Sequence, residues 1–202
     1  MAVAELPAYP SYNDVLGCQE ALFEWAESFD SKNWKRLDDC LAPTLYVDYR
    51  EVMGPDHMGP AAIWEAMPKQ DFIDFSSSAG FLGNPRIQTQ HFVGGCIKWK
   101  QTAEEDIEAH HQMRVAHARY KDDECKEVEH KGHVHGWAFT RYKKVGGVWK
   151  LAGVGPDLRW YEFNYEKIFG VMVYLSFCVS GAFADKLVAN ERAGSEPREG
   201  TY

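Results

Sequence analysis

The 202-residue chain contains no CxxC pair, no run of lysine and arginine, no GxSxG and no internal repeat. Each absence removes a class of function. The five cysteines, Cys18, Cys40, Cys96, Cys125 and Cys178, are odd in number and widely spaced. That pattern excludes a disulfide framework and a zinc-thiolate site, and fits a reducing compartment. With 30 acidic against 22 basic residues, a net charge of −8 and no basic cluster, a nucleic-acid surface is not expected. The opening MAVAELPAYPSYND has neither a basic n-region nor an apolar h-region, so the reading is intracellular and cytoplasmic. Without GxSxG, or a cysteine next to a histidine, a nucleophilic serine or cysteine is unsupported. One uncharged stretch, Ile168–Ala184, is shorter than the ~20 apolar residues of a membrane helix and carries serine and glycine, so membrane insertion is not expected.

Aromatic residues are plentiful: 7 Trp, 10 Tyr and 11 Phe suit a large core or a pocket for flat ligands. The order of hydrophobic periods gives the fold class. After an arm over residues 1–12, a helix capped by Asn13 or Asp14 is predicted, with Val15, Leu16, Cys18, Leu22, Phe23, Trp25 and Ala26 as its apolar stripe. Ser31 caps a second short helix that Pro43 ends. Leu45–Val52 alternates as a strand, 53–60 is a Gly/Pro loop, and Ile63–Met67 begins a third helix running past Phe72 and Phe75. Strands then follow: one carrying Ile87, Thr89, His91 and Val93 on one face, then Cys96–Lys100, Asp106–Tyr120, Cys125–Tyr142 and Val148–Val154. Helices before an antiparallel sheet imply an α+β domain, with helices packed on a curved, cone-shaped open barrel and a pocket between the layers. Residues 13–169 form that domain. Residues 170–187 are an apolar lid or packing segment, and 188–202 a disordered tail.

The most informative strand is Ala109–Tyr120, AHHQMRVAHARY. Alternation puts His111, Met113, Val115 and His117 on one face and His110, Gln112, Arg114 and Ala116 on the other. Imidazole beside apolar side chains is what a partly dry acid–base pocket requires. A rival cluster, His130, His133 and His135, invites a metal, since HxH on a strand projects both rings to one side. No further carboxylate has convincing spacing, so no metal and no cofactor are expected.

The blocks FEWAESFDSKNWKRL, LAPTLYVDYR, IWEAMP, RIQTQHFVGG, HHQMRVAHARYKD, KGHVHGWA and RYKKVGGVWKLAGVGPDLRW resemble the fungal scytalone dehydratases, a branch of the nuclear-transport-factor-2-like cone folds. The resemblance runs from about Leu16 to Phe169. It implies a trimeric lyase that removes water from a cyclic polyketide hydroxyketone by syn elimination, without metal or organic cofactor. Carried over by position, His91 is the base that becomes acid, His117 its partner, and Asp30 the carboxylate orienting His117. Tyr49 holds a carbonyl-polarising water. Trp25, Val52, Phe75, Phe81, Val115, Val154, Pro156, Leu158, Tyr165 and Phe169 match lining positions. The match also implies that Gly136 and Ala138 face the pocket, which puts His133 and His135 on the opposite face.

Three positions depart from the pattern. Phe29 stands where a second water-holding tyrosine is found, Gly136 where a serine backs the histidines, and Ala138 where an asparagine contacts substrate. Losing three polar groups, each worth roughly 1–3 kcal/mol in discrimination, while making room, implies a larger or less polar aromatic polyketide. The surviving set could equally drive an isomerisation or cyclisation, or line a non-catalytic binding module.

Overall fold

A computed structural model describes residues 9–53 and 62–169. Most of the expected arm, the loop at 54–60, and the segments 170–187 and 188–202 lie outside the described residues.

The first helix, α1 (Tyr12–Asp30), is capped a few residues earlier than expected, by Ser11, whose hydroxyl accepts the Asp14 N–H at 3.2 Å. Asp14 has another task. Its carboxylate accepts from the Trp149 indole N–H at 2.8 Å and from Lys144 at 3.0 Å, tying the helix start to a distant hairpin. The helix can lie this close because of Gly17, where a Cβ would come within 2.7 Å of the Trp149 ring. The buried stripe is Cys18, Leu22, Trp25 and Phe29, spaced by four, three and four residues, while Leu16 and Phe23 are exposed. Burial of Trp25 and Phe29 stabilises by roughly 1.5–3 kcal/mol each.

Ser31 terminates α1, its N–H bonded to the Glu27 carbonyl at 2.9 Å, and Asn33 instead caps α2 (Trp34–Cys40) by accepting the Arg36 N–H at 3.0 Å. Strand β1 (Leu41–Asp48) starts before Pro43 rather than after it. Proline is tolerated because the β1 register is interrupted between Leu41 and Tyr46, where no ladder bond needs its missing N–H. A short α3 (Arg50–Met53) follows.

Ile63–Pro68 is a strand, β2, not the expected helix; it pairs antiparallel with β1, Leu45 opposite Met67 and Val47 opposite Trp64. So short an apolar run carries too little period to separate helix from strand, and the unpaired edge of β1 decides it. The helix, α4 (Lys69–Ser76), begins after Pro68.

Four long strands follow: β3 (Ile87–Ala103), β4 (Asp106–Tyr120) with the expected bounds, β5 (Val128–Val145), displaced by three residues at each end, and β6 (Val148–Phe163), which runs on well past the expected Val154. The two strands expected over 87–100 are one, with register shifts between Val93 and Lys98 that bend it without ending it. Among the described residues the six strands run in the order β2-β1-β6-β5-β4-β3. All neighbours are antiparallel except β1 and β6, which are parallel. The architecture is the expected α+β arrangement, helices on a curved, unclosed sheet. Among the described residues no helix is long and apolar enough to cross a membrane.

Candidate active site

On β4 the alternation holds: His111, Met113, Val115 and His117 are all buried, and His110, Gln112 and Arg114 are exposed. Thr89 of β3 pairs with His117 and His91 pairs with Val115, so His91 and His117 are diagonal neighbours on one sheet face. Above them lies the last turn of α1. A cavity opens between helix and sheet; both imidazoles, Trp25, Phe29 and Tyr49 line it.

Asp30, the final residue of α1, pairs with His91 and not with His117 as expected. One carboxylate oxygen lies 2.7 Å from His91 Nδ1 and accepts the Thr89 hydroxyl at 2.8 Å; the other accepts the His91 backbone N–H at 2.7 Å. The correction has a simple geometry: the helix ends over β3, one strand short of His117. Burial opposes ionisation of Asp30, but the bonds from His91 and Thr89 outweigh it and hold the carboxyl below its usual range. A carboxylate on Nδ1 makes that nitrogen the N–H donor and leaves His91 Nε2 as the free ring nitrogen. Trp25 and Phe29 pack on the imidazole, with centroids at 5.6 and 5.5 Å.

His117 is held differently. Its Nδ1–H donates to the Gly132 carbonyl at 3.3 Å, and Tyr165 and Phe169 pack edge-on at 5.3 and 5.5 Å. Burial, with a smaller contribution from His91, pushes its pKa down from 6.5 to about 3, so the ring is neutral near pH 7. Tyr49 follows β1 and is 5% exposed, against Phe72 and Phe75. Burial raises its phenol well above the usual range, which keeps it a hydrogen-bond donor.

Of the other residues expected at the pocket, Val52, Phe81, Val115, Pro156, Leu158, Tyr165 and Phe169 line it. Asp30 stands behind His91. Phe75 is one layer back, stacked on Phe81 at 4.7 Å, and Val154 is fully buried in the core. Met113, placed on the inward face of β4 by alternation, lines the cavity, as do Leu82 and Val134, which were not expected there. Alternation could have nominated Val134; no local signal points to Leu82, which sits in a turn.

Gly136 and Ala138 do not line the cavity, and the expectation that their lost side chains make room is corrected at Gly136. A Cβ there would sit 2.0 Å from the Asp157 carbonyl oxygen, at the register shift between His135 and Gly136. The backbone of β6 fills the space. Ala138 is fully buried in the cluster of Met113, Val115 and Val134. Phe29 is the one departure that changes the cavity wall, with an apolar ring at 2% exposure.

His133 and His135 belong to the outer face, each within 4 Å of Glu162, at 3.7 and 3.5 Å, and His135 stacks on Trp160 at 4.7 Å. Among the described residues no group of three or more His, Cys, Asp or Glu has the geometry to hold a metal.

The scytalone dehydratase family profile matches residues 10–172. The chain belongs to the scytalone dehydratase family. It is 55% identical over 160 residues to the scytalone dehydratase-like protein claB of Passalora fulva, covering 79% of this chain and 94% of that one. To the scytalone dehydratase of Pyricularia oryzae it is 45% identical over 159 residues, covering 79% and 88%. Among solved structures, hexachlorocyclohexane dehydrochlorinase LinA type 2 superposes with a TM-score of 0.55 at 9% identity, over 75% of this chain and 88% of the other. A protein of Kribbella flavida does so with a TM-score of 0.57 at 16% identity, over 76% and 95%. These structures share the fold of this scytalone dehydratase family member.

Proposed function

We propose that the chain is a lyase that removes water from a cyclic or aromatic polyketide hydroxyketone of fungal secondary metabolism. The observation that carries this reading is the His91–Asp30 pair, bonded at 2.7 Å, with His91 lining a largely apolar cavity. Nε2 takes the proton beside the ketone while Asp30 stabilises the imidazolium that forms. The electrons of the broken C–H bond form a C=C bond as the C–O bond to the neighbouring hydroxyl breaks. The imidazolium returns its proton to that hydroxyl, so water leaves and His91 is neutral again. Every atom and charge is accounted for by substrate and side chains. Tyr49, kept protonated, holds a water against the carbonyl oxygen as charge develops there. Neutral His117 accepts a hydrogen bond from a substrate hydroxyl at Nε2.

The relatives' dehydratase names support the reaction class, and the apolar wall supports a flat, weakly polar substrate. The reading includes a homo-oligomer, supported by Phe92, Trp160 and Phe163, which are 67%, 56% and 65% exposed on strands.

The test is turnover of scytalone and a panel of larger hydroxyketones by the purified chain, followed by ultraviolet absorbance with His91→Ala as control. A His91-dependent product lighter by one water is the expected result. A product of unchanged mass would make the chain an isomerase or cyclase, and ligand binding without His91-dependent conversion would make it a binding module.

A further inference from the structure

The cavity's hydrogen-bonding groups divide unevenly. His91 Nδ1–H is committed to Asp30 and His117 Nδ1–H to the Gly132 carbonyl, so each imidazole in its neutral form presents Nε2 to the cavity as an acceptor. Acceptors are therefore in good supply. A ketone oxygen needs donors, and Tyr49 supplies one hydroxyl.

Trp25 completes the set. It is 2% exposed, lines the cavity, and its ring centroid lies 5.6 Å from that of His91. Its indole Nε1–H is buried without a hydrogen-bond partner among the described residues. A buried N–H left unpaired is costly, and indole nitrogens in protein interiors usually find an acceptor. The neighbouring ring on the same helix face, Phe29, packs edge-on to Trp25 at 5.1 Å and has no oxygen to offer.

We infer that Trp25 Nε1–H is a specificity-determining donor that binds an oxygen of the ligand, so the cavity selects flat bicycles carrying a carbonyl over the corresponding hydrocarbons. This rests on the reading of the cavity as a ketone site. It adds a residue whose N–H, rather than its ring alone, sets recognition.

The test uses the full chain with ¹⁵N-labelled indoles and two probes, α-tetralone, which has a carbonyl but no leaving hydroxyl, and tetralin, its hydrocarbon. Trp25→Phe keeps an aromatic ring, deletes the N–H and identifies the Trp25 signal among the 7 tryptophans. The expected result is a downfield shift of that indole proton on saturation with α-tetralone but not with tetralin. Trp25→Phe is expected to weaken α-tetralone binding by about five- to tenfold while changing tetralin binding by less than about twofold. A stationary signal at saturation, equal losses for both probes, or no saturable binding of α-tetralone would each overturn the inference. Exchange of the protons beside the carbonyl of α-tetralone, measured on the same samples, separates the two levels. His91-dependent exchange with a stationary indole sinks the donor and keeps the acid–base reading; a shifted indole with exchange indifferent to His91→Ala does the reverse.

Discussion

His111 and His117 stand on the same face of β4, both buried, yet their surroundings differ in kind. At the closed end of the sheet, His111 Nε2 lies 3.1 Å from both the Thr140 hydroxyl and the Tyr142 phenol, which are themselves 3.1 Å apart. Trp99 covers the ring at 5.5 Å. Three polar side chains there bond one another, and none of them lines the cavity. At the other end, His117 and His91 fix only their Nδ1 atoms, and the cavity is bounded by aromatic rings. Polar atoms turned on one another make a core, whereas polar side chains that line a cavity make a site. The same residue type, on the same strand face, serves both ends.

The largest effect expected from this contrast is on turnover. Asp30→Asn keeps the shape of the side chain but removes the charge that stabilises the His91 imidazolium. It should lower kcat by about 10²–10⁴-fold, with the thermal midpoint nearly unchanged. A comparable change at the closed end, Thr140→Val, should leave kcat per folded molecule alone. Equal losses of turnover in the two variants would dissolve the distinction between the ends.

That Asp30 serves His91 is the feature least legible in the sequence. The two residues are 61 positions apart, and which imidazole a helix C-terminus overlies is decided when the helix docks, not by local pattern. Strand parity, by contrast, was readable in advance on β4, because one face of the sheet is buried and a period of two is unambiguous there. The family match named most of the residues that line the cavity but not its spaces. At Gly136 the missing side chain suggested room, and only the backbone of β6 reveals that none exists. Ile63–Met67 failed for a different reason, a run too short to show its period before the edge of β1 claims it.

The two histidines should also destabilise the fold together in acid. Burial pushes His117 down to about 3, and burial with the nearby His110 pushes His111 down to about 4, from 6.5. Between these values and 6.5 the unfolded chain binds protons that the folded chain refuses. Stability therefore falls as pH drops through this window and is fully present above it. At about pH 5 each histidine should cost about 2 kcal/mol, together lowering the thermal midpoint by roughly 10 °C. Replacing His111 with Gln should remove about half of that slope and leave the pH dependence of turnover in place. A midpoint flat from pH 7 to about 5 would show that neither ring is held neutral.

Gly136→Ser tests whether the departure is a space or a contact. The new Cβ would lie 2.0 Å from the Asp157 oxygen and 3.0 Å from its carbonyl carbon, and both belong to backbone that cannot rotate away. Destabilisation of about 2–3 kcal/mol is expected, read as a lower midpoint in denaturant. A variant as stable as the parent, with tighter binding of small hydroxyketones, would mean that β6 yields and that the glycine marks a vacated subsite.

Thr140→Val sharpens the comparison at its smallest scale. The Thr140 hydroxyl lies 3.1 Å from both His111 Nε2 and the Tyr142 phenol, and 3.4 Å from the Ala109 carbonyl oxygen it faces. Valine keeps the branched shape and removes the oxygen, but His111 retains the phenol at 3.1 Å. His111 Nε2 therefore keeps a partner, so the loss should be near that of one neutral hydrogen bond, about 1 kcal/mol, and should appear in chemical denaturation. A loss several times larger would mean that the closed end works as one cooperative network in which His111 depends on the hydroxyl. A double-mutant cycle of Thr140→Val with Tyr142→Phe would decide between the two: additive losses fit separable bonds, and coupling above about 0.5 kcal/mol fits a network.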